Sequence, residues 1–170
     1  MKSKKTVVHL IALLSFIVLT AIDQISKIII IDKIPVTGDI SVIDKVLKIV
    51  YVKNTGAAWG LFKNGTLVLS IFSSLVLCVI IFIYFRLNWD IKKQRSLMVL
   101  CVFIASGAVG NLIDRILRQF VVDFIYIELI DFPVFNIADC YITVSMFVLA
   151  ALLIFYYKEE DLETIWQKRS

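Results

Sequence analysis

Four stretches of the chain, residues 7–31, 67–85, 97–113 and 137–157, are long and apolar enough to cross a bilayer as helices. A spanning helix needs about 17–25 such residues, because the hydrocarbon core is about 30 Å thick. In lipid every backbone N–H and C=O must find a partner within the protein, which leaves these stretches little choice but helix. Composition agrees: 60% of the 170 residues are hydrophobic and 19% are charged, against about 45–50% and 25% in soluble domains. The chain lacks the polar surface to coat a soluble globule and is far too apolar for disorder. The fold expected is an all-α membrane protein of four transmembrane helices in one domain, residues 1–170. The formal net charge of +4 reads as membrane-flanking Lys and Arg, not as a nucleic-acid footprint, so no nucleic-acid partner is expected.

Those cations are unevenly placed. Lys2, Lys4 and Lys5 precede the first helix. Arg86, Lys92, Lys93 and Arg95 fill the second connection, and Lys158, Lys168 and Arg169 follow the fourth helix. The longer loop 32–66 holds five lysines, spread out. Positive charge favours the cytoplasmic side, so both termini are expected there, with the first and third connections outside. The first stretch has the basic start of a signal peptide, but no A-x-A cleavage pattern follows and its apolar run is long. A retained helix is the better reading.

The outer connections carry β signals. Residues 46–53 are rich in β-branched and aromatic side chains, and 120–127 repeat the pattern, so a small extracytoplasmic β platform is expected. Cys78, Cys101 and Cys140 lie in apolar runs and read as packing residues. His9, the only histidine, reads as a solvated interfacial side chain. With no clustered His or Cys, no metal or other cofactor is expected.

The polar residues inside the apolar stretches are the informative ones, since each costs about 2.5–3.5 kcal/mol to insert. Asp23 and Lys27 are four apart on the first helix, the favourable acid-before-base order. Asn111, Asp114 and Arg115 share a face of the third helix with Gly107, and Asn136 and Asp139 share a face at the start of the fourth. Asp123 lies in the connection between those helices, so topology gathers all of them in one leaflet. Interhelical glue uses Ser, Thr or Asn; this many carboxylates points to a site. There is no H-E-x-x-H and no G-x-S-x-G, and the one His lies elsewhere, which removes zinc-protease and serine-triad chemistry. Ser26 and Lys27 are adjacent and do not face each other on a helix, so a Ser–Lys dyad is not favoured. A carboxylate pair sharing one proton remains; such a pair can activate water against an amide.

Five blocks then carry a resemblance: Asp23-Gln24-Ile25-Ser26-Lys27, Asn54-Thr55-Gly56-Ala57-Ala58-Trp59-Gly60, Gly110-Asn111-Leu112-Ile113-Asp114-Arg115, Val121-Val122-Asp123-Phe124 and Phe135-Asn136-Ile137-Ala138-Asp139. Their content and order resemble the signature blocks of lipoprotein signal peptidase, or signal peptidase II, across nearly the whole chain. The resemblance implies a bacterial inner-membrane aspartyl endopeptidase. Such an enzyme removes the signal peptide from a prolipoprotein just before a cysteine that carries diacylglycerol. It implies Asp123 and Asp139 as the catalytic pair, and Asn54, Asn111, Arg115 and Asn136 as the lining of the substrate pocket. Asp23, Lys27 and Asp114 are then mainly structural. It further implies membrane lipid as a neighbour and inhibition by the cyclic peptide globomycin. Two features depart from the family pattern: a short stretch at residues 126–131, and Cys140 where serine is common. The rival readings are a small proton-coupled transporter, which would want its acids near the midplane, and a non-catalytic assembly subunit held by polar glue.

Overall fold

The structure is a computed structural model and describes residues 2–35, 38–56 and 65–166. Four long helices form the body: α1 (Lys2–Lys33), α2 (Thr66–Arg86), α3 (Gln94–Arg118) and α4 (Ile137–Phe155). All four are long and apolar enough to span a membrane. At one end lie three short strands, β1 (Asp39–Ile43), β2 (Leu47–Asn54) and β3 (Val121–Ile127). A short helix, α5 (Glu159–Trp166), lies at the other end.

The bundle is built around α3, which packs against α1, α2 and α4. Over half of its most apolar window is buried, against 11% or less in the other three helices. The reason is side-chain size. Ala105, Ser106, Gly107, Ala108 and Gly110 are all buried on α3, and small residues let membrane helices approach closely. A Cβ on Gly107 would stand 2.5 Å from the Ala138 carbonyl oxygen and 2.8 Å from Ile142 Cγ1. A Cβ on Gly110 would collide with the Asp23 carboxylate. These two glycines therefore set the approach of α3 to α4 and to α1 where the polar residues gather.

The sheet is antiparallel, in the order β1-β2-β3. Val52 of β2 lies opposite Asp123, and Asn54 opposite Val121, with an irregularity in the ladder between Ile49 and Val52. Tyr51, Val122 and Phe124 pack with Ile30 of α1 and with Ile34, the residue after it, so the sheet is seated on the end of that helix. Phe124 and Ile125 both donate their N–H to the Phe135 carbonyl, at 3.0 and 2.8 Å, which turns the chain from β3 towards α4.

The strands expected over 46–53 and 120–127 are β2 and β3. β1 is an addition: all five of its residues are exposed, so it shows no alternation of buried and open positions. The helix limits differ from the apolar runs. α1 starts at Lys2 rather than residue 7 and ends at Lys33 rather than 31. α4 stops at Phe155, short of residue 157. The largest correction is α3, expected over 97–113 but running from Gln94 to Arg118. Its last turns contain Asp114, Arg115 and Arg118, charges that end an apolar run without ending the helix. α5 is held by Ile165, which packs with Leu87, Leu97, Met98 and Cys101. His9 is exposed but not merely solvated: its Nδ1 lies 3.0 Å from the Tyr84 hydroxyl.

Candidate active site

All nine polar residues singled out in the sequence converge where α1, α3, α4 and the sheet meet. They divide into two sets of carboxylates with different partners.

The first set is Asp123 and Asp139. Asp123 comes from β3 and is 3% exposed. Asp139 lies in the first turn of α4 and is half-buried. Asn136, the N-cap of α4, joins them. Its side-chain oxygen accepts from Asp139 N–H at 3.0 Å, and its own N–H donates back to Asp139 Oδ2 at 3.1 Å. This reciprocal capping satisfies otherwise orphaned donors and fixes the start of the helix. The Asn136 Nδ2 donates to Asp123 Oδ1 at 2.7 Å and to Asn111 Oδ1 at 3.2 Å. Asn54 Nδ2 donates to Asp123 Oδ2 at 2.8 Å, and the Asn54 amide is oriented by Gly56 N–H at its oxygen, 2.9 Å away. Asn111 Nδ2 donates to Asp139 Oδ1 at 2.8 Å. Every oxygen of the two carboxylates thus accepts an N–H from a neutral amide. Burial pushes the Asp123 carboxyl up to about 7; the charge of Asp139 adds to this, and the bonds from Asn54 and Asn136 oppose it.

The second set is Asp23 and Asp114, both fully buried with Lys27. Lys27 Nζ lies 2.9 Å from Asp23 Oδ2 and 3.1 Å from Asp114 Oδ2. It also donates to Asn111 Oδ1 at 2.9 Å, so Asn111 links the two sets. Arg118 pairs with Asp114 one turn earlier on α3. Two carboxylates and two cations leave this set neutral. Asp23 Oδ1 further accepts from Ala138 N–H at 3.0 Å, and Asp114 Oδ2 from Val122 N–H at 3.1 Å.

Two members of the site were not singled out in the sequence. Gln24 donates to the Gly110 carbonyl at 3.0 Å and to Asp114 Oδ1 at 3.3 Å, and its oxygen accepts from Arg118 at 3.3 Å. Gln24 stands in the first block, and Arg118 is i+4 from Asp114, but that relation shows only once α3 is known to continue. Arg118, not Arg115, is therefore the arginine that pairs with Asp114. Among the described residues Arg115 makes no ion pair within 4 Å. The acids whose charges reach it are Asp139, Asp123 and Asp114. Its guanidinium stays available beside the first set.

The Ser26 hydroxyl donates to the Asp23 carbonyl at 2.6 Å, a bond local to its own helix. Cys140 is half-buried beside Asp139. Of the second sequence block, Asn54, Thr55 and Gly56 are in place, while Ala57, Ala58, Trp59 and Gly60 lie outside the described residues. Among the described residues no group of three or more His, Cys, Asp or Glu comes together as a metal site. The arrangement offers two close carboxylates in a framework of neutral donors, with one uncommitted guanidinium alongside.

The chain is similar to known proteins over most of its length. The lipoprotein signal peptidase of Clostridium acetobutylicum is 36% identical over 143 residues, covering 82% of this chain and 91% of that one. Two solved structures, each described as a bacterial membrane enzyme determined by the in meso method, share its fold. One, at 2.3 Å resolution, is 30% identical with a TM-score of 0.75, covering 87% of this chain and 92% of the other. The second, at 1.9 Å resolution, is 29% identical with a TM-score of 0.72, covering 86% and 94%. The family profile described as Signal peptidase (SPase) II matches residues 15–155. Four membrane helices, a small sheet and this profile over most of the chain lead to one conclusion: the chain belongs to the signal peptidase II family.

Proposed function

We propose that Asp123 and Asp139 are the catalytic pair of an endopeptidase that cuts the signal peptide from prolipoproteins, just before the diacylglyceryl-modified cysteine. The observation that carries this reading is the bonding of the two carboxylates. They come from different elements, share Asn136 as a partner, and hold all their oxygens on neutral amides. Amides fix geometry without supplying a counter-charge, so the pair can hold a single proton between its two members.

The ionised member takes a proton from water, and the resulting hydroxide adds to the scissile carbonyl carbon. The protonated member gives its proton to the carbonyl oxygen, leaving a neutral gem-diol. Collapse breaks the C–N bond: the proton taken from water passes to the leaving nitrogen, and a gem-diol hydroxyl returns its proton to the other carboxylate as the C=O bond reforms. Each member of the pair ends in its starting protonation state. Arg115 donates to substrate carbonyls next to the scissile bond, its planar fork being suited to this. Asn54, Asn111 and Asn136 line the pocket while they hold the carboxylates. The transporter alternative finds no support: the chain belongs to a peptidase family, and Asp123 and Asp139 stand in a strand and in the first turn of α4.

The distribution of Lys and Arg supports an orientation with both termini in the cytoplasm and the sheet end outside, in the bacterial inner membrane. The site then meets substrate near the outer leaflet, where the diacylglyceryl chains stay among membrane lipids. A globomycin-type cyclic peptide is expected to occupy the same pocket. The test is release of signal peptide from a prolipoprotein fragment in detergent, with and without diacylglycerol on its cysteine. Release from the lipidated form alone, blocked by globomycin, is expected. Equal cleavage of both forms refutes the substrate assignment.

A further inference from the structure

The buried ion set touches the backbone at two positions, and each lies one residue before an aspartate of the proposed pair. Asp114 binds the N–H of Val122, which precedes Asp123. Asp23 binds the N–H of Ala138, which precedes Asp139. Ala138 is in the first turn of α4, where backbone donors lack partners within the helix, and Val122 N–H is buried with its residue at the start of β3. Lys27 lies between the two carboxylates, 2.9 and 3.1 Å from their Oδ2 atoms. A continuous chain therefore runs from Val122 through Asp114, Lys27 and Asp23 to Ala138, and no link in it exceeds 3.1 Å.

We infer that Lys27 is a positioning residue for peptide hydrolysis: by tying Asp23 to Asp114 it fixes the spacing between the strand that bears Asp123 and the helix that bears Asp139. The inference rests on the assignment of that pair as catalytic. A second contact works in the same direction. Lys27 donates to the oxygen of Asn111 and so turns its amide to present Nδ2 to Asp139. Stability alone does not account for the arrangement. A buried ion cluster is often no better for stability than apolar packing of the same volume, because each ion loses its water. Glue between membrane helices needs only Ser, Thr or Asn. What this cluster does that apolar side chains cannot is hold two named N–H groups at a set separation.

The test uses the full-length enzyme in detergent micelles, with kcat and KM measured on monodisperse protein well below each variant's melting temperature. Lys27→Met alone would strand two buried carboxylates, so it is combined with Asp23→Asn. That double variant keeps an oxygen for Ala138 and leaves Asp114 balanced by Arg118. Its kcat is expected to fall on the order of 100-fold, the cost of a misplacement near 1 Å, with KM within about twofold. Lys27→Arg keeps the charge but changes the length of the tie; kcat is expected to fall about tenfold at unchanged KM. A folded double variant with kcat within about threefold of wild type overturns the proposal, as does a loss carried by KM. If the double variant does not fold, Lys27→Arg decides alone, and normal kcat there overturns it. Retained turnover in Asp123→Asn or Asp139→Asn would instead refute the catalytic assignment on which the tie depends.

Discussion

Two pairs of carboxylates lie side by side in this protein, and their partners differ in kind. Asp23 and Asp114 are fully buried and meet Lys27 and Arg118. Asp123 and Asp139 meet Asn54, Asn111 and Asn136 and, among the described residues, no cation within ion-pair distance. A cation locks a carboxylate into one charge state as well as one place. An amide fixes only its place. The first pair is thus suited to holding the fold and the second to exchanging a proton. The two pairs lie together because the first grips the backbone beside the second.

The largest expected effect on stability belongs to the charged pair. Asp114→Ala takes partners from Lys27, Arg118, Gln24 and the Val122 N–H at once. Breaking a buried pair costs about 3–5 kcal/mol, which thermal unfolding in detergent would show as a clear loss of melting temperature. A melting temperature unchanged by that substitution would erase the distinction between the pairs. Gly110→Ala probes the same place through packing, since its Cβ would strike the Asp23 carboxylate. Overpacking of this kind costs about 1–3 kcal/mol, again read by thermal unfolding.

The amide-held pair should respond to pH. Asp123 has a folded value of about 7 against an ordinary 3.8. Its contribution to stability is therefore full below about 3.8 and is lost as pH rises through about 7. Wild type should lose melting temperature across that window, and Asp123→Asn should lose less. The same deprotonation removes the shared proton, so kcat/KM should fall on the alkaline side of about 7, with the value belonging to the pair. The smallest effect is expected for Arg115→Lys, which retains charge but not the fork: normal melting temperature, KM raised several-fold, and weaker globomycin binding. A lowered melting point with unchanged affinity would make Arg115 a counter-ion instead.

The four spans and two of the three strands were legible in the sequence because each rests on a local pattern. Hydropathy shows a helix that faces lipid, and β-branched runs show a strand. β1 has no buried residue to betray it, and in α5 Ile165 alone is buried. The end of α3 was hidden for a different reason. Asp114 and Arg118 read as the close of an apolar run, yet they pair at i,i+4 within the helix and neutralise each other there. The residues that gather at the candidate site were legible through the sequence blocks. Gln24 was not, because its role follows from how closely Gly110 lets α1 and α3 approach. The division of the carboxylates into charged and amide-held sets is equally a product of packing: Asp23 and Asp139 look alike until their neighbours are placed.

The most direct test measures turnover and melting temperature together on Asp123→Asn and Asp139→Asn. Each substitution preserves volume and removes one titrating group from a pair that works as a unit. The expected result is loss of signal-peptide release by at least about 10³-fold, with a melting temperature at or above that of wild type. Turnover near the wild-type rate in either variant, in protein that remains folded, would contradict the account.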